Sequence, residues 1–308
     1  MRASHPTFTP NRKPTKKSQT NHNPELQTPS VFSSYFCRTN QKGEEKMKID
    51  LLDTLRKKNP IAFNISNFVT VQDVANGINA LGASPIMSEE KNEAEPMVQM
   101  ADSVTINLGA FTEGQLDQIS AVTAFANKYK KPIIIDPVAV GAVEYRKERC
   151  NELLDQIDVA VIRGNAGEIA ALADVKWNAK GIDAGEGSGN LEEIAKKLAK
   201  KRNCVVVESG KTDIITDGDA VIRIFNETDL FKLHVGSGDM LSSTIGCFCG
   251  IEHDYFEAAQ TATAIFDVAG EVVAKAMDKP LAGSFGVRLI DELHLIDTKT
   301  VEKNANFE

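Results

Sequence analysis

The 308-residue sequence lacks several features that define whole classes of protein. No apolar run approaches the roughly 18–20 residues that a membrane-spanning helix needs, so no membrane partner is expected. Basic residues are not in excess, because 35 lysines and arginines face 43 acidic residues, and this argues against nucleic-acid binding. The five cysteines have no zinc-ligand spacing, and their odd number does not fit a disulfide framework. These absences favour a protein of the reduced cytoplasm.

The composition is that of a globular protein, with 42% hydrophobic and 25% charged residues. The N-terminal segment differs in character from the rest of the chain. Residues 1–46 are rich in Pro, Ser, Thr, Asn and Lys and lack hydrophobic periodicity, so we expect a disordered N-terminal extension. Two interpretations stay open, an upstream extension before a start at Met47 and an organelle transit peptide. Because no linker divides residues 47–308, we expect them to form one domain.

From about residue 60 onward, short β-rich runs alternate with helical patterns. Nearly continuous apolar strands are predicted at 103–109, 132–138, 158–165 and 204–210. Helices are predicted at about 70–81, 113–129, 146–155, 166–174, 190–202, 238–250, 255–277 and 284–293. Residues 212–226 break this rhythm and predict a hairpin that turns at Asp217-Gly218. The series predicts an α/β fold with a doubly wound, mostly parallel sheet and helices on both faces.

The most informative stretch is VGSGDML, residues Val235–Leu241. Gly236, Ser237 and Gly238 precede apolar residues at helical spacing, which predicts that they form the mouth of a helix. Because free N–H groups and the positive end of the helix dipole attract anions there, these three residues form a candidate anion hole for a phosphoryl group. Asp239 follows directly, and a carboxylate beside a phosphate suits the removal of a proton from an attacking hydroxyl.

Polar residues follow the predicted strands at the sheet edge where ligands bind. Asp136 follows three isoleucines, and it is either a turn residue before proline or a carboxylate near a metal or phosphate. Arg163 ends an apolar run and suits a phosphate contact. Glu168 either completes a capping box with Asn165 or helps to hold water around a magnesium ion. Ser209, near the end of a later strand, can approach a nucleotide phosphate closely.

Two early segments suggest a pocket for a small organic ligand. Asn67 ends a strand-like segment and offers an amide donor and acceptor, whereas Met87 offers a soft apolar wall. Together they suit a small heteroaromatic ligand, and the alternative is that they are ordinary turn and core residues.

Six stretches of the chain resemble the hydroxyethylthiazole kinases, a family of the ribokinase-like superfamily. They are ANGINALGASPIM (75–87), TINLGAF (105–111), IIIDPVAVGA (133–142), VIRGNAGEIAAL (161–172), KGIDAGEGSG (180–189) and VGSGDMLSSTIGCF (235–248). They occur in the family's order and cover nearly all of residues 60–290. ALGASPIM, RGNAGE and KGIDAGEG are specific to this kinase within the superfamily, whereas Gly-x-Gly-Asp is shared widely.

The resemblance implies phosphoryl transfer from ATP to the primary alcohol of 4-methyl-5-(2-hydroxyethyl)thiazole in thiamine salvage. Carried over by position, Met87 and Gly236 would contact the thiazole, with Asn67 beside it. Arg163 and Ser209 would contact ATP.

The resemblance extends to a metal and to an assembly. Asp136 and Glu168 would organise Mg²⁺ and phosphate, with Glu168 acting through water. A homotrimer with its active sites at the subunit interfaces is also implied.

The chain departs from the family at the residue on which the chemistry depends. Where the family motif usually ends in Gly-x-Gly-Cys, this chain has Asp239, the base of other ribokinase-like enzymes, and Phe68 replaces a common asparagine. Another small heterocyclic-alcohol kinase, of pyrimidine or pyridoxal type, therefore stays open as an alternative. So do an NAD(P)H-hydrate dehydratase-like lyase, which would not be expected to carry KGIDAGEG or ALGASPIM, and a non-catalytic nucleotide-binding regulator.

Overall fold

The structure, a computed structural model, describes residues 47–177 and 190–308. The predicted N-terminal extension and the KGIDAGEGSG stretch lie outside the described residues. The described strands are β1 (Ile61–Ile65), β2 (Ser84–Ile86), β3 (Ser103–Asn107), β4 (Ile133–Asp136), β5 (Val161–Asn165), β6 (Val205–Ser209), β7 (Asp213–Thr216) and β8 (Val221–Ile224). They form one sheet in the order β2-β1-β3-β4-β5-β6-β7-β8.

The sheet is parallel except at one edge. Strands β1 to β6 run in the same direction, whereas β7 pairs antiparallel with β6 and with β8. The β7–β8 connection is the predicted hairpin, and Gly218 adopts the left-handed conformation that its turn requires, with φ of 101°. The fold class predicted from the sequence is therefore confirmed.

Helices cover both faces of this sheet. The described ones are α1 (Leu51–Lys58), α2 (Val71–Leu81), α3 (Ala94–Met100), α4 (Glu113–Tyr129), α5 (Glu144–Leu154), α6 (Ala166–Leu172), α7 (Leu191–Arg202), α8 (Leu230–Leu233), α9 (Ser237–Cys249), α10 (Tyr255–Lys275), α11 (Ala282–Leu295) and α12 (Thr298–Asn304). One buried apolar cluster includes residues of α3 to α7, and a second includes residues of α1, α2 and α8 to α12. Ile133 and Ile135 belong to the first cluster and Ile134 to the second, because successive strand side chains point to opposite faces.

Several short elements, among them β2, α3, α8 and α12, are not predicted by the patterns above. Strand β2 has only three residues and contains Pro85, which is tolerated because the strand lies at the edge of the sheet. Helix α3 contains Pro96 in its first turn, where a missing N–H has no intrahelical partner to lose. Helix α12 is a single short segment near the C-terminus. In each case a short or proline-containing segment lacks the length that makes a periodic pattern readable.

The cysteines of the described residues are buried and free. Burial raises the pKa of Cys150, Cys204 and Cys247 to about 12, so these thiols stay protonated and act as small core residues. Within residues 47–177 and 190–308, no helix is both long enough and apolar enough to cross a membrane.

Candidate active site

The residues predicted to form a site gather at the carboxyl ends of the parallel strands. Asp136 is the last residue of β4, Ser209 is the last residue of β6, and Asn67 follows β1. Strand β2 lies on one side of β1, whereas β3 and the later strands lie on the other side, so the order in which strands are added changes direction between β1 and β3. Open α/β sheets form a ligand crevice at such a point. Met87 lies half-buried directly after β2, at this same edge, although the network of contacts described below does not include it.

Asp136 is the buried centre of a hydrogen-bond network. Its Oδ2 atom accepts hydrogen bonds from Asn107 Nδ2 at 3.1 Å and from Ser242 Oγ at 3.0 Å. Asn107 in turn accepts a hydrogen bond from Asn67 Nδ2 at 3.1 Å, so the network reaches from β4 to the end of β1. Burial raises the pKa of Asp136 to about 7, although the charge of Arg163 opposes the rise.

Arg163 connects the strand ends to the N-terminus of α9. Its Nη2 donates to Ser209 Oγ, and its Nη1 lies 3.7 Å from Asp136 Oδ2. A β-carbon at Gly238 would lie only 2.3 Å from Nη1, so the guanidinium rests directly against the backbone of this glycine. A side chain at this position would displace the guanidinium. The arrangement brings the two residues predicted to contact ATP into contact with each other and with the candidate anion hole.

The anion hole has the predicted helical geometry. Gly236 is the N-cap of α9 and adopts a left-handed conformation, with φ of 102°. Ser237, Gly238 and Asp239 form the first turn. The Ser237 N–H donates to the His234 carbonyl oxygen at 3.3 Å, so the N–H groups of Gly238 and Asp239 are the ones that remain available at the helix end. These N–H groups, the positive end of the helix dipole and the Arg163 guanidinium are the hydrogen-bond donors that a phosphoryl group would need here.

Asp239 is a buried carboxylate with one occupied and one open oxygen. Its Oδ2 atom accepts a hydrogen bond of 2.6 Å from Thr70 Oγ1. Among the residues that the structure describes, Oδ1 has no well-aligned hydrogen-bond partner, although Ser66 and Asn107 are close enough to lower the pKa of Asp239 as weak donors. Burial raises the pKa of Asp239 to about 6, although Thr70 and the charge of Arg163 oppose the rise. The carboxylate is therefore ionised at neutral pH and able to accept a proton.

Glu168 makes the capping box that the sequence suggested. Its Oε2 atom accepts the N–H of Asn165 at 2.9 Å, and its backbone N–H donates to Asn165 Oδ1 at 3.1 Å. The other carboxylate oxygen accepts the N–H of Ala139 at 2.8 Å, in the loop that follows Asp136. Glu168 therefore fastens this loop, where Ala139 has a left-handed φ of 62°, to the start of α6. Since an ionised carboxylate can accept about four hydrogen bonds, room remains for contact with a metal-bound water.

The donor set fits a magnesium ion carried by ATP. No group of three or more His, Cys, Asp or Glu side chains within the described ranges has the arrangement of a metal site. Mg²⁺ seldom uses such an all-protein cage, because it keeps several waters and binds one or two carboxylates together with substrate phosphates. Asp136 and Glu168 are oxygen donors of this kind, and their charges are close enough for Glu168 to raise the pKa of Asp136.

Three further acids lie buried around Arg163 and were not predicted. Burial raises the pKa of Glu208 to about 8 and that of Asp213 to about 6, and it raises the pKa of Asp267 well above its ordinary range. The charge of Arg163 opposes the rise at each of the three. Arg163 is thus the counter-charge for a strongly acidic region.

The site also contains polar residues that sequence reasoning did not single out. Asn107 ends β3, so the same strand-end rule that drew attention to Asp136 could have found it. Ser242 lies one turn after Asp239 on α9 and would have followed from helix spacing. Thr70 has no such signal, because it precedes Asp239 by 169 residues.

The fold and the site together define a class of protein. The mostly parallel sheet of eight described strands, with helices on both faces, is a ribokinase-like fold. A ribokinase-like superfamily protein from Enterococcus faecalis superposes with a TM-score of 0.57 at 14% identity, covering 80% of this chain and 94% of that protein. At this identity the likeness shows the shared fold alone.

The particular family follows from closer similarity. The model of the hydroxyethylthiazole kinase family matches residues 52–299. The chain is 58% identical over 262 residues to a hydroxyethylthiazole kinase of Levilactobacillus brevis, covering 85% of this chain and 100% of the relative. A hydroxyethylthiazole kinase structure from Pyrococcus horikoshii superposes with a TM-score of 0.77 at 31% identity, covering 84% of this chain and 97% of that one. The chain belongs to the hydroxyethylthiazole kinase family and is a phosphotransferase.

Proposed function

We propose that the protein transfers the γ-phosphoryl group of ATP to the primary hydroxyl of 4-methyl-5-(2-hydroxyethyl)thiazole, with Asp239 as the general base. The observation that carries the proposal is the state of Asp239. It is a buried carboxylate in the first turn of α9, and its Oδ1 atom has no well-aligned hydrogen-bond partner among the described residues. Family membership supports the substrate, and the anion-binding surroundings support transfer of a phosphoryl group.

In the proposed reaction, each group around the helix N-terminus has a separate task. The N–H groups of the anion hole and Arg163 stabilise charge on the transferring group, and one such donor is typically worth about 10²–10³ in turnover. Asp239 Oδ1 accepts the hydroxyl proton as the oxygen bonds to the γ-phosphorus and the bond to the β–γ bridging oxygen breaks, leaving ADP. Proton removal of this kind contributes about 10²–10⁴.

Different residues would hold Mg²⁺ and line the thiazole site. Asp136 and, through water, Glu168 would hold the ion, which supplies neutralisation of phosphate charge when bound. Met87, Asn67 and Gly236 would line the thiazole site, as the family resemblance implies.

A homotrimer with active sites at the subunit interfaces is part of the proposal. Exposed apolar side chains flank the site on two loops, with Phe68 76% exposed and Val235 70% exposed. The loops touch each other, because a β-carbon at Gly236 would lie 2.8 Å from Thr70 Cγ2. Apolar side chains grouped beside an active site support its coverage by a neighbouring subunit. A cytoplasmic location stays a prediction from the sequence.

A coupled assay of ADP release over a panel of heterocyclic alcohols tests the proposal. We expect turnover with hydroxyethylthiazole and much weaker turnover with pyridoxal or a hydroxymethylpyrimidine. A preference for either of those alcohols would support the alternative kinase activities. Absence of ADP release with every alcohol would refute the kinase proposal and direct attention to a lyase or a nucleotide-binding regulator.

A further inference from the structure

Thr70 makes an unusual contact for a threonine at the start of a helix. It is the N-cap residue of α2, a position where a threonine hydroxyl normally accepts a hydrogen bond from an N–H group of the first turn. No such capping bond is present, and the hydroxyl instead donates to Asp239 Oδ2 at 2.6 Å. The side chain is 4% exposed, so water does not compete for this bond. The hydroxyl is therefore directed at the active site and not at its own helix.

The bond also determines which oxygen of Asp239 is available. Oδ2 is occupied by Thr70, whereas Oδ1 has no well-aligned partner within the described ranges. Ser66 and Asn107 are also close enough to Asp239 to act as weak hydrogen-bond donors and lower its pKa, but Thr70 makes the short, well-aligned bond. Oδ1 and Ser66 Oγ therefore keep the capacity for a further hydrogen bond, which a hydroxyl group of the substrate can supply.

We propose that Thr70 is a positioning residue for the reaction, holding Asp239 by Oδ2 so that Oδ1 faces the hydroxyl of the acceptor alcohol. The inference rests on the proposed function, in which Asp239 is the base. A carboxylate on a helix can rotate about its side-chain bonds, and one hydrogen bond to Oδ2 restricts this rotation before substrate binds. Thr70 does not touch the reacting atoms, so its effect passes entirely through Asp239.

The two ends of the Thr70 side chain have separate roles that substitution can separate. The hydroxyl bonds Asp239, whereas the methyl group packs against Gly236 in the anion hole, with Cγ2 2.8 Å from the position of a β-carbon there. Thr70→Val keeps the methyl group and the shape but removes the hydroxyl. Thr70→Ser keeps the hydroxyl and removes the methyl group.

The test measures kcat, KM and thermal stability for Thr70→Val and Thr70→Ser in the intact protein. We expect Thr70→Val to lower kcat about 10- to 100-fold with KM for ATP and alcohol changed less than about threefold, because only the base is misplaced. Thr70→Ser is expected to keep kcat within about threefold of the wild type. Thr123→Val is the matched control, since Thr123 is a buried helical threonine whose hydroxyl bonds carbonyls of its own helix.

A double-mutant cycle with Asp239→Cys isolates the pair. A cysteine has one sulfur atom and no carboxylate oxygen for Thr70 to hold. Thr70→Val is therefore expected to change kcat less than about twofold in that background. An equal loss of kcat in both backgrounds, or a Thr70→Val enzyme with wild-type kcat, would overturn the inference while leaving the proposed function intact. If the wild type transfers phosphate to none of the alcohols, the proposed function fails and this inference fails with it.

Discussion

Replacing Asp239 with asparagine should abolish most activity and at the same time stabilise the unliganded protein. The substitution preserves the shape and leaves an oxygen to accept the Thr70 hydrogen bond, but it removes the charge. Turnover is expected to fall about 10²–10⁴-fold, because an amide does not accept the hydroxyl proton. ATP binding should not weaken, since the candidate anion hole and Arg163 are untouched and a negative charge beside the phosphates is removed.

The stability gain follows from the pKa of Asp239. Burial raises the pKa from 3.8 to about 6, which corresponds to up to about 3 kcal/mol of folding free energy lost at neutral pH, at about 1.36 kcal/mol per pKa unit. The native state binds the proton more tightly than the unfolded chain, so this loss is absent below about pH 4, grows as the pH rises and is complete above about pH 6. For a chain of this size, the gain at pH 8 amounts to about 5–10 °C in Tm.

Denaturation of Asp239→Asn and wild type at pH 4, 6 and 8, without nucleotide or Mg²⁺, measures this effect. The variant should match the wild type at pH 4 and exceed it at pH 8. Asp219→Asn is the control, because the exposed Asp219 should change stability by less than about 0.5 kcal/mol at either pH. A variant no more stable than wild type at pH 8 would show that Asp239 is not held as a desolvated carboxylate.

Three other substitutions test the remaining parts of the site. Gly238→Ala should displace Arg163 and reduce kcat/KM for ATP more than about tenfold, whereas Gly114→Ala, whose nearest neighbouring atom would be 3.9 Å away, should leave it unchanged. Glu168→Gln should lower the free energy of unfolding, measured by urea denaturation, by about 1–3 kcal/mol, because the amide side chain has only one oxygen for two backbone N–H groups. A variant as stable as the wild type would show that Glu168 does not hold the loop to α6. Val235→Asp should reduce the mass of the assembly measured by light scattering, and an unchanged mass would remove this loop from the interface.

The sequence predicted the site best where one strand or one helix determines it. Asp136 and Arg163 follow apolar runs, so the strand-end rule was enough to bring them to one edge of the sheet. The position of Asp239 in the first turn of a helix was predictable, because the glycines before it indicate a helix N-terminus. Thr70 was not, because its contact depends on how the β1–α2 loop lies against α9 in the folded chain. The structure places these side chains, but the role assigned to each of them, Met87 and Ser209 included, stays a prediction.

The exchange of the family's usual cysteine for Asp239 is understandable as a balance of charge. A thiol with an ordinary pKa near 8.5 is mostly protonated at neutral pH, whereas a carboxylate with a pKa of about 6 is ready to accept a proton. The same carboxylate adds a negative charge beside the phosphates, and this must be offset. Arg163 supplies a positive charge, the Thr70 hydroxyl supplies a hydrogen bond, and Glu208, with a pKa of about 8, is mostly neutral at pH 7. Arg163 and Thr70 therefore offset the charge of Asp239, and both lower its pKa against the effect of burial.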